Sequence, residues 1–164
     1  LKQISALNRG EDPVAGLLDS GPTNLFTGAA ADPNSKNFNS LRKRLERKKN
    51  SGASFLQTQM VMDPKILERF CKEIADPLEL PTLAGVFLLK SAKNAHFINK
   101  VVPGASIPEA ILNRLEKAED PYLEGISIAA EQVKRFTGIA KGVHIMAIKA
   151  EHKIPEILEL AKIN

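Results

Sequence analysis

The chain has 164 residues, 43% hydrophobic and 5% aromatic, with 23 basic and 19 acidic residues and a formal net charge of +4. A chain of this length can bury a core of its own, which here must be mainly aliphatic. The small positive charge does not indicate nucleic acid as a partner. The single cysteine excludes an internal disulfide and fits a reducing cytoplasm, and no apolar run approaches the roughly 20 residues that span a membrane.

The first segment, LKQISALNRG, has apolar residues at helical spacing and a glycine at its end, which predicts a helix that stops at Gly10. Nothing before Leu1 could start this helix, so we expect the chain to be a fragment of a longer protein. A polar loop, EDPVAGLLDSGPT, follows. The small residues of LFTGAAA then predict a short strand from Leu25 to Ala31.

Strand and helix patterns alternate from there to the end of the chain. The predicted elements are a helix over 39–50, a strand over 54–61, a helix from Asp63-Pro64 to Ile74, the strand TLAGVFLL, a helix over 92–101 capped by Ser91, the helix IPEAILNRLEKA, a helix over 124–136, the strand GVHIMAI and the helix IPEILELAKI. The strands are apolar runs of the kind expected where both faces of a sheet are covered. They therefore indicate an α/β fold with a parallel sheet wrapped by helices.

Four β-α units fit two architectures, a small doubly wound sheet or the C-terminal half of a (β/α)8 barrel. The phosphate-binding fingerprints of doubly wound folds, GxGxxG and GxxxxGK[ST], do not occur in the sequence. The missing start of the first helix also favours the half barrel. In a barrel the loops after the strands build the site, so the segments ADPN, QMVMD, LLKSAKNA and KAEHK would share one rim.

The strand over 54–61 carries two amides, Gln57 and Gln59, within an apolar run. An unpaired buried amide costs about 1–3 kcal/mol, so such a strand either pairs its amides internally or presents one to a ligand. The period of two places Phe55, Gln57 and Gln59 on one face. Gln59 lies nearer the carboxyl end of the strand, whereas we expect Gln57 to bond to neighbouring layers of side chains or to a buried water.

The basic run LRKRLERKK, residues 41–49, places cations on the apolar side of its predicted helix. At about 100° per residue, Leu45, Lys48 and Arg44 lie roughly 40°, 340° and 300° from Leu41. Either the stems of Arg44 and Lys48 pack on the apolar side while their charged ends reach solvent, or an anion lies beside this face. No aromatic residue interleaves the run, which does not favour nucleic acid.

We expect the three histidines and the single cysteine to have structural roles. His96, His144 and His152 are widely spaced and have no cysteine or carboxylate at metal-ligand spacing, so we expect no metal site. His144 is expected to be a strand residue that bonds to a neighbouring residue. Cys71 has no nucleophile-and-base pattern around it and is expected to be a small core residue.

In five segments the chain resembles the C-terminal half of the methylenetetrahydrofolate reductase family: LKQISALNRG, the strand end AADPN, RKKNSGASFLQTQMVMD, PTLAGVFLLKSAKNAHFINKVVPGASIP, and EGISIAAEQVKRF with GVHIMAI. The resemblance covers nearly the whole chain and is most specific in GASFLQTQMVMD and LAGVFLLKSAKNA. It is nearest to bacterial forms, including those fused to a homocysteine methyltransferase domain. It implies that residues 1–164 are the C-terminal part of a flavin (β/α)8 barrel that reduces 5,10-methylenetetrahydrofolate to 5-methyltetrahydrofolate with FAD and either NADH or NADPH.

The resemblance also implies roles for individual residues. Gln59 would bind the pterin ring, Asn94 falls at a folate-contacting amide position, and Phe97 would stack on folate through a shift of one residue. The implied FAD contacts are Lys48, Arg47, Arg44 and Asp32. In relatives another residue often stands at the position of Asp32.

The family places its catalytic acid in the N-terminal strands, so no catalytic residue is expected in this chain, and the fragment alone is expected to be inactive. The implied partners are a folate, a nicotinamide nucleotide and either further copies of the chain or a partner subunit. An alternative function is a half-barrel module that holds flavin or folate, or pairs with another subunit, without turnover.

Overall fold

The structure is a computed structural model that describes residues 1–163. Its helices are α1 Lys2–Leu7, α2 Phe38–Asn50, α3 Pro64–Phe70, α4 Ala92–Val101, α5 Glu109–Lys117, α6 Pro121–Phe136 and α7 Ile154–Leu160. Its strands are β1 Glu11–Asp12, β2 Gly16–Leu17, β3 Gly28–Ala31, β4 Phe55–Met60, β5 Thr82–Phe87 and β6 Gly142–Met146. A π-helical turn, Cys71–Ala75, extends α3, and a 3-10 turn, Glu151–Lys153, precedes α7. None of the helices in this part of the chain is both long and apolar enough to cross a lipid bilayer.

Strands β3 to β6 form one parallel sheet of four strands in sequential order. Because each parallel crossover is right-handed, a sheet that grows in one direction places its connecting helices on the same face. A doubly wound sheet instead reverses its strand order, so that alternative is wrong. The prediction of an α/β fold with a parallel sheet is confirmed.

The two faces of the sheet differ in burial. On β4, Leu56, Thr58 and Met60 are 0%, 4% and 2% exposed, whereas the residues between them are half-buried. We call the side of Leu56 the covered face, since it packs against α2, α3, α6 and α7, and the side of Gln57 the open face. The sequence predicted cover on both faces, but the described chain covers only one.

Two apolar clusters hold the helices to the sheet. The larger lies under the covered face, and its most deeply buried side chains include Phe70 and Phe136. The smaller joins α4 and α5 to the carboxyl ends of β4 and β5, through Met60, Leu89 and Leu115. This second cluster fixes the position of α4 and of the loop that follows it.

Several element boundaries differ from the sequence prediction. The strand predicted from Leu25 begins at Gly28, because its partner β4 begins at Phe55 and the two residues pair. The helix predicted from residue 124 begins at Pro121. The loop predicted between α1 and β3 contains the short antiparallel pair β1 and β2.

The earlier start of α6 has a local cause. The Asp120 carboxylate accepts the backbone N–H groups of Tyr122 and Leu123 at 2.9 and 3.1 Å, and Pro121 occupies the first helical turn. Asp63-Pro64 starts α3 in the same way. An aspartate before a proline satisfies the unpaired N–H groups of a helix start.

Helix α6 approaches the backbone at the end of β5 through Gly125. A Cβ atom at this position would overlap the carbonyl oxygen of Leu89. Because backbone cannot swing aside as a side chain can, only glycine allows α6 to pack this closely. The contact sets the start of the loop between β5 and α4.

We expect Gly125→Ala to lower the free energy of unfolding by about 1–3 kcal/mol, the usual effect of forcing extra atoms into a packed site. Urea denaturation with an unchanged m-value measures this effect. Gly138→Ala is the matched control, since a Cβ there would lie 3.5 Å from the Arg135 carbonyl oxygen, an ordinary contact. Equal losses in the two variants would contradict the tight approach at Gly125.

Candidate functional site

A cavity of about 680 Å³ lies along the edge strand β3 and extends from the open face to α2. This volume lies within the range of small-molecule sites. Its walls come from β3, β4, β6, α2 and the loop between α4 and α5. Four of the predicted site residues line it: Gln59, Asp32, Arg44 and Lys48.

Gln59 lies at the rim of this cavity with its amide only partly engaged. Its Oε1 accepts the backbone N–H of Met60 at 3.0 Å, and its Nε2 donates to the carbonyl of Pro103 at 3.4 Å. The second bond is long, and a primary amide has two N–H groups and two acceptor positions. Gln59 therefore keeps both donor and acceptor capacity for a ligand.

Gln57 lies deeper on the same face and is paired. Its Nε2 is 2.8 Å from Nδ1 of His144 on β6. Strand β5 lies between them and places Gly85 opposite His144. Glycine has no side chain that would separate the Gln57 amide from the His144 ring. Gln57 and His144 thus bond to each other across β5, which confirms that Gln57 is paired within the protein and that His144 bonds to a neighbour.

The cations of α2 border the same cavity. Arg44 and Lys48 line it together with the buried Leu41 and Leu45, as the helical spacing predicted. The ammonium of Lys48 donates to the carbonyl of Ala30 on β3 at 2.6 Å. Lys48 is thus held against the edge of the sheet, with N–H groups left for another acceptor.

Arg47 lies in an adjoining pocket of about 620 Å³, which Arg44 and Lys48 also border. Within residues 1–163, none of these three cations forms an ion pair with a carboxylate. By contrast, Arg42, on the flank of α2 opposite Arg44, pairs with Glu46 at 3.1 Å. Arg44 and Lys48 therefore present to the cavity positive charge that an anion can neutralise.

Asp32 sits directly after β3 on the rim. Its Oδ1 accepts the backbone N–H of Asn34 at 3.0 Å, which fixes the turn that leaves the strand. It is an acidic group in a cavity that Arg44 and Lys48 otherwise make positive. The carboxylate can accept hydrogen bonds from hydroxyl or N–H groups of a ligand.

Asn94 and Phe97 are placed differently from the other predicted residues. Asn94 lies in the first turn of α4, where its Oδ1 accepts the backbone N–H of Lys90 at 3.3 Å. Phe97 is 60% exposed. Neither side chain lines the cavity that contains Gln59. Their roles in folate binding stay predictions.

The sequence did not point to three further residues that line the cavity, Pro103, Met146 and His144. His144 gave the same signal as Gln57, a polar residue in an apolar strand, and its place on the open face follows from the parallel register with β5. Pro103 gave none, because it reaches the site only through the folding of the loop between α4 and α5.

Cys71 is buried in the core, as predicted, and does not line this cavity. Burial, with a smaller effect of the Asp76 carboxylate, raises the pKa of its thiol to about 11. The thiol is therefore neutral at physiological pH and unsuited to act as a nucleophile.

Comparison with known proteins gave two findings. The family model for methylenetetrahydrofolate reductase matches residues 23–162. A solved structure, described as an uncharacterized protein from Clostridium thermocellum that binds two copies of 5-methyl-5,6,7,8-tetrahydrofolic acid, is similar with a TM-score of 0.63 and 21% identity. The similarity covers 88% of this chain and 54% of that one, so the chain spans about half the length of that structure.

At this identity the structural likeness shows the fold alone, and the search of curated proteins found no match. The family model, however, covers all four strands of the parallel sheet and every residue that lines the cavity. The chain therefore belongs to the methylenetetrahydrofolate reductase family.

Proposed function

We propose that this chain supplies the C-terminal half of a flavin-dependent reductase that converts 5,10-methylenetetrahydrofolate to 5-methyltetrahydrofolate. The placement of the Gln59 amide at the cavity rim, beside the cations of α2, carries the proposal. Family membership supports the reaction class. The solved structure that binds 5-methyltetrahydrofolate supports a folate as the ligand.

The half-barrel arrangement is part of this proposal. Strands β3 and β6 are the edges of the sheet, and the open face lacks cover within the described residues. Further β-α units that continue the sheet would pair both edges and enclose the open face, as in a closed barrel. The similar structure, of which the similarity covers 54%, supports this arrangement. The other half would come from the same polypeptide or from a partner subunit.

Folate recognition would centre on Gln59. The edge of a pterin ring alternates hydrogen-bond donors and acceptors, and a primary amide offers one of each in a fixed plane. Gln59 has this capacity at the rim, while Gln57 is bonded to His144 below it. Gln59 is therefore the amide that is free to bind and orient the ring.

The residues on α2 fit the anionic part of FAD. Arg44, Arg47 and Lys48 have no carboxylate partner within residues 1–163. Arg44 and Lys48 border both pockets, and Arg47 borders the second. They would hold the pyrophosphate through charge-assisted hydrogen bonds, and Asp32 would accept a hydrogen bond from the cofactor. Bound FAD supplies hydride transfer from NADH or NADPH to the folate. The proton donor would belong to the other half of the barrel.

We expect Gln59→Glu in the full-length protein to weaken folate binding, or slow reoxidation of reduced flavin by the folate, by about 1–3 kcal/mol. Glutamate keeps the size of the side chain but removes the N–H donors and adds a charge. Stopped-flow measurement of the two half-reactions checks this. Flavin reduction by the nicotinamide nucleotide is the internal control and should change much less. Equal losses in both half-reactions, or a loss of FAD content alone, would assign Gln59 a structural role.

We expect Lys48→Met to weaken FAD binding about tenfold while the apo-protein loses less than about 1 kcal/mol of unfolding free energy. Methionine keeps the apolar stem and removes the charge. Lys43→Met, on the exposed side of the same helix, is the matched control and should bind FAD like wild type. Retention of FAD by the Lys48→Met protein on dilution, equal to that of the control, would contradict the cofactor role.

A further inference from the structure

The side chain of Asn34 joins two segments that meet at Gln59. Its Nδ2 donates to the carbonyl of Met60 at 3.1 Å and to the carbonyl of Gly104 at 2.9 Å. Asn34 itself lies in the turn after β3, and Met60 ends β4. One amide therefore ties the ends of two strands to the loop between α4 and α5.

The same two segments hold the amide of Gln59. Its Oε1 accepts the N–H of Met60, and its Nε2 points to the carbonyl of Pro103, the residue before Gly104. The bonds thus close a ring that passes through Gln59, Met60, Asn34, Gly104 and Pro103. Within this ring Asn34 bonds to Met60 and to Gly104, the residue after Pro103, and not to Gln59 itself.

Asparagine is suited to this position because two N–H groups on one nitrogen reach two carbonyl oxygens. An aspartate would have no such donors and would place charge against both carbonyls. The loop is also fitted closely to the rim. Gly104 has a left-handed φ of 81°, and a Cβ there would lie 2.5 Å from Oδ2 of Asp32. The close fit keeps the Gly104 carbonyl within reach of Asn34.

We propose that Asn34 is a positioning residue that holds Gln59 in its ligand-binding orientation. This inference rests on the proposed function of Gln59. A glutamine side chain that is free to rotate loses conformational entropy when it binds a ligand. By fixing Met60 on one side and the Pro103–Gly104 segment on the other, Asn34 keeps the oxygen of the amide toward β4 and its nitrogen toward the loop.

Asn99 provides a matched control for the order of the loop. Its Nδ2 donates to the Ile107 carbonyl at 3.0 Å, and its Oδ1 accepts the Ile107 N–H at 2.8 Å. Like Asn34, it forms two side-chain hydrogen bonds to backbone, in this case both to Ile107 in the loop between α4 and α5. It forms no hydrogen bond to Met60, Pro103 or Gly104, so its loss should loosen the loop without releasing Gln59.

The test is a double-mutant cycle in the full-length protein with Asn34→Ala and Gln59→Ala, read as the Kd for 5-methyltetrahydrofolate by calorimetry. We expect Asn34→Ala to weaken binding about three- to tenfold when Gln59 is present and less than about twofold in the Gln59→Ala background, which is the coupling expected of residues that act together. Asn99→Ala should change the Kd less than about twofold, although we expect it to lower the Tm about as much as Asn34→Ala does.

Equal weakening by Asn34→Ala in both backgrounds would overturn the inference, and so would equal weakening by Asn99→Ala. If Gln59→Ala alone leaves the Kd unchanged, the proposed role of Gln59 fails, and the inference fails with it. If Asn34→Ala does not fold, Gly104→Ala replaces it in the cycle, because the added Cβ displaces the loop from Asp32. The same coupling to Gln59 is expected, and its absence counts against the inference.

Discussion

The alternation of side chains along β4 is the constraint on which the site depends. Leu56, Thr58 and Met60 are buried against the helices, so Gln57 and Gln59 must point to the opposite face. A slip of one residue would drive both amides into an aliphatic core and expose the apolar side chains. Burial of the covered face therefore fixes the direction of the amides on the open face.

Other elements then complete the site around that strand. The apolar stripe of α2 packs on the sheet and brings Arg44 and Lys48 to the edge of the cavity. The small apolar cluster under α4 and α5 places the following loop, whose Pro103 carbonyl faces Gln59. The donor and acceptor groups of the Gln59 amide thus lie beside the positive charge of Arg44 and Lys48. This arrangement suits a ring ligand next to an anionic cofactor.

Local patterns predicted much of this arrangement because they depend on near neighbours in the chain. The period of two placed Gln59 on its face, and helical spacing placed Lys48 beside the apolar stripe. The link from Asn34 to Gly104 joins residues 70 positions apart and has no local signature. The placement of Asn94 within the first turn of α4, away from the cavity lining, likewise depends on how that helix packs.

We propose that the open face binds a folate through Gln59. A crystal structure of the full-length protein with 5-methyltetrahydrofolate tests it most directly. We expect the pterin ring in the cavity beside β4, with the Gln59 amide within hydrogen-bond distance of its edge. A pterin ring bound elsewhere, with Gln59 still directed at the Pro103 carbonyl, would contradict the account.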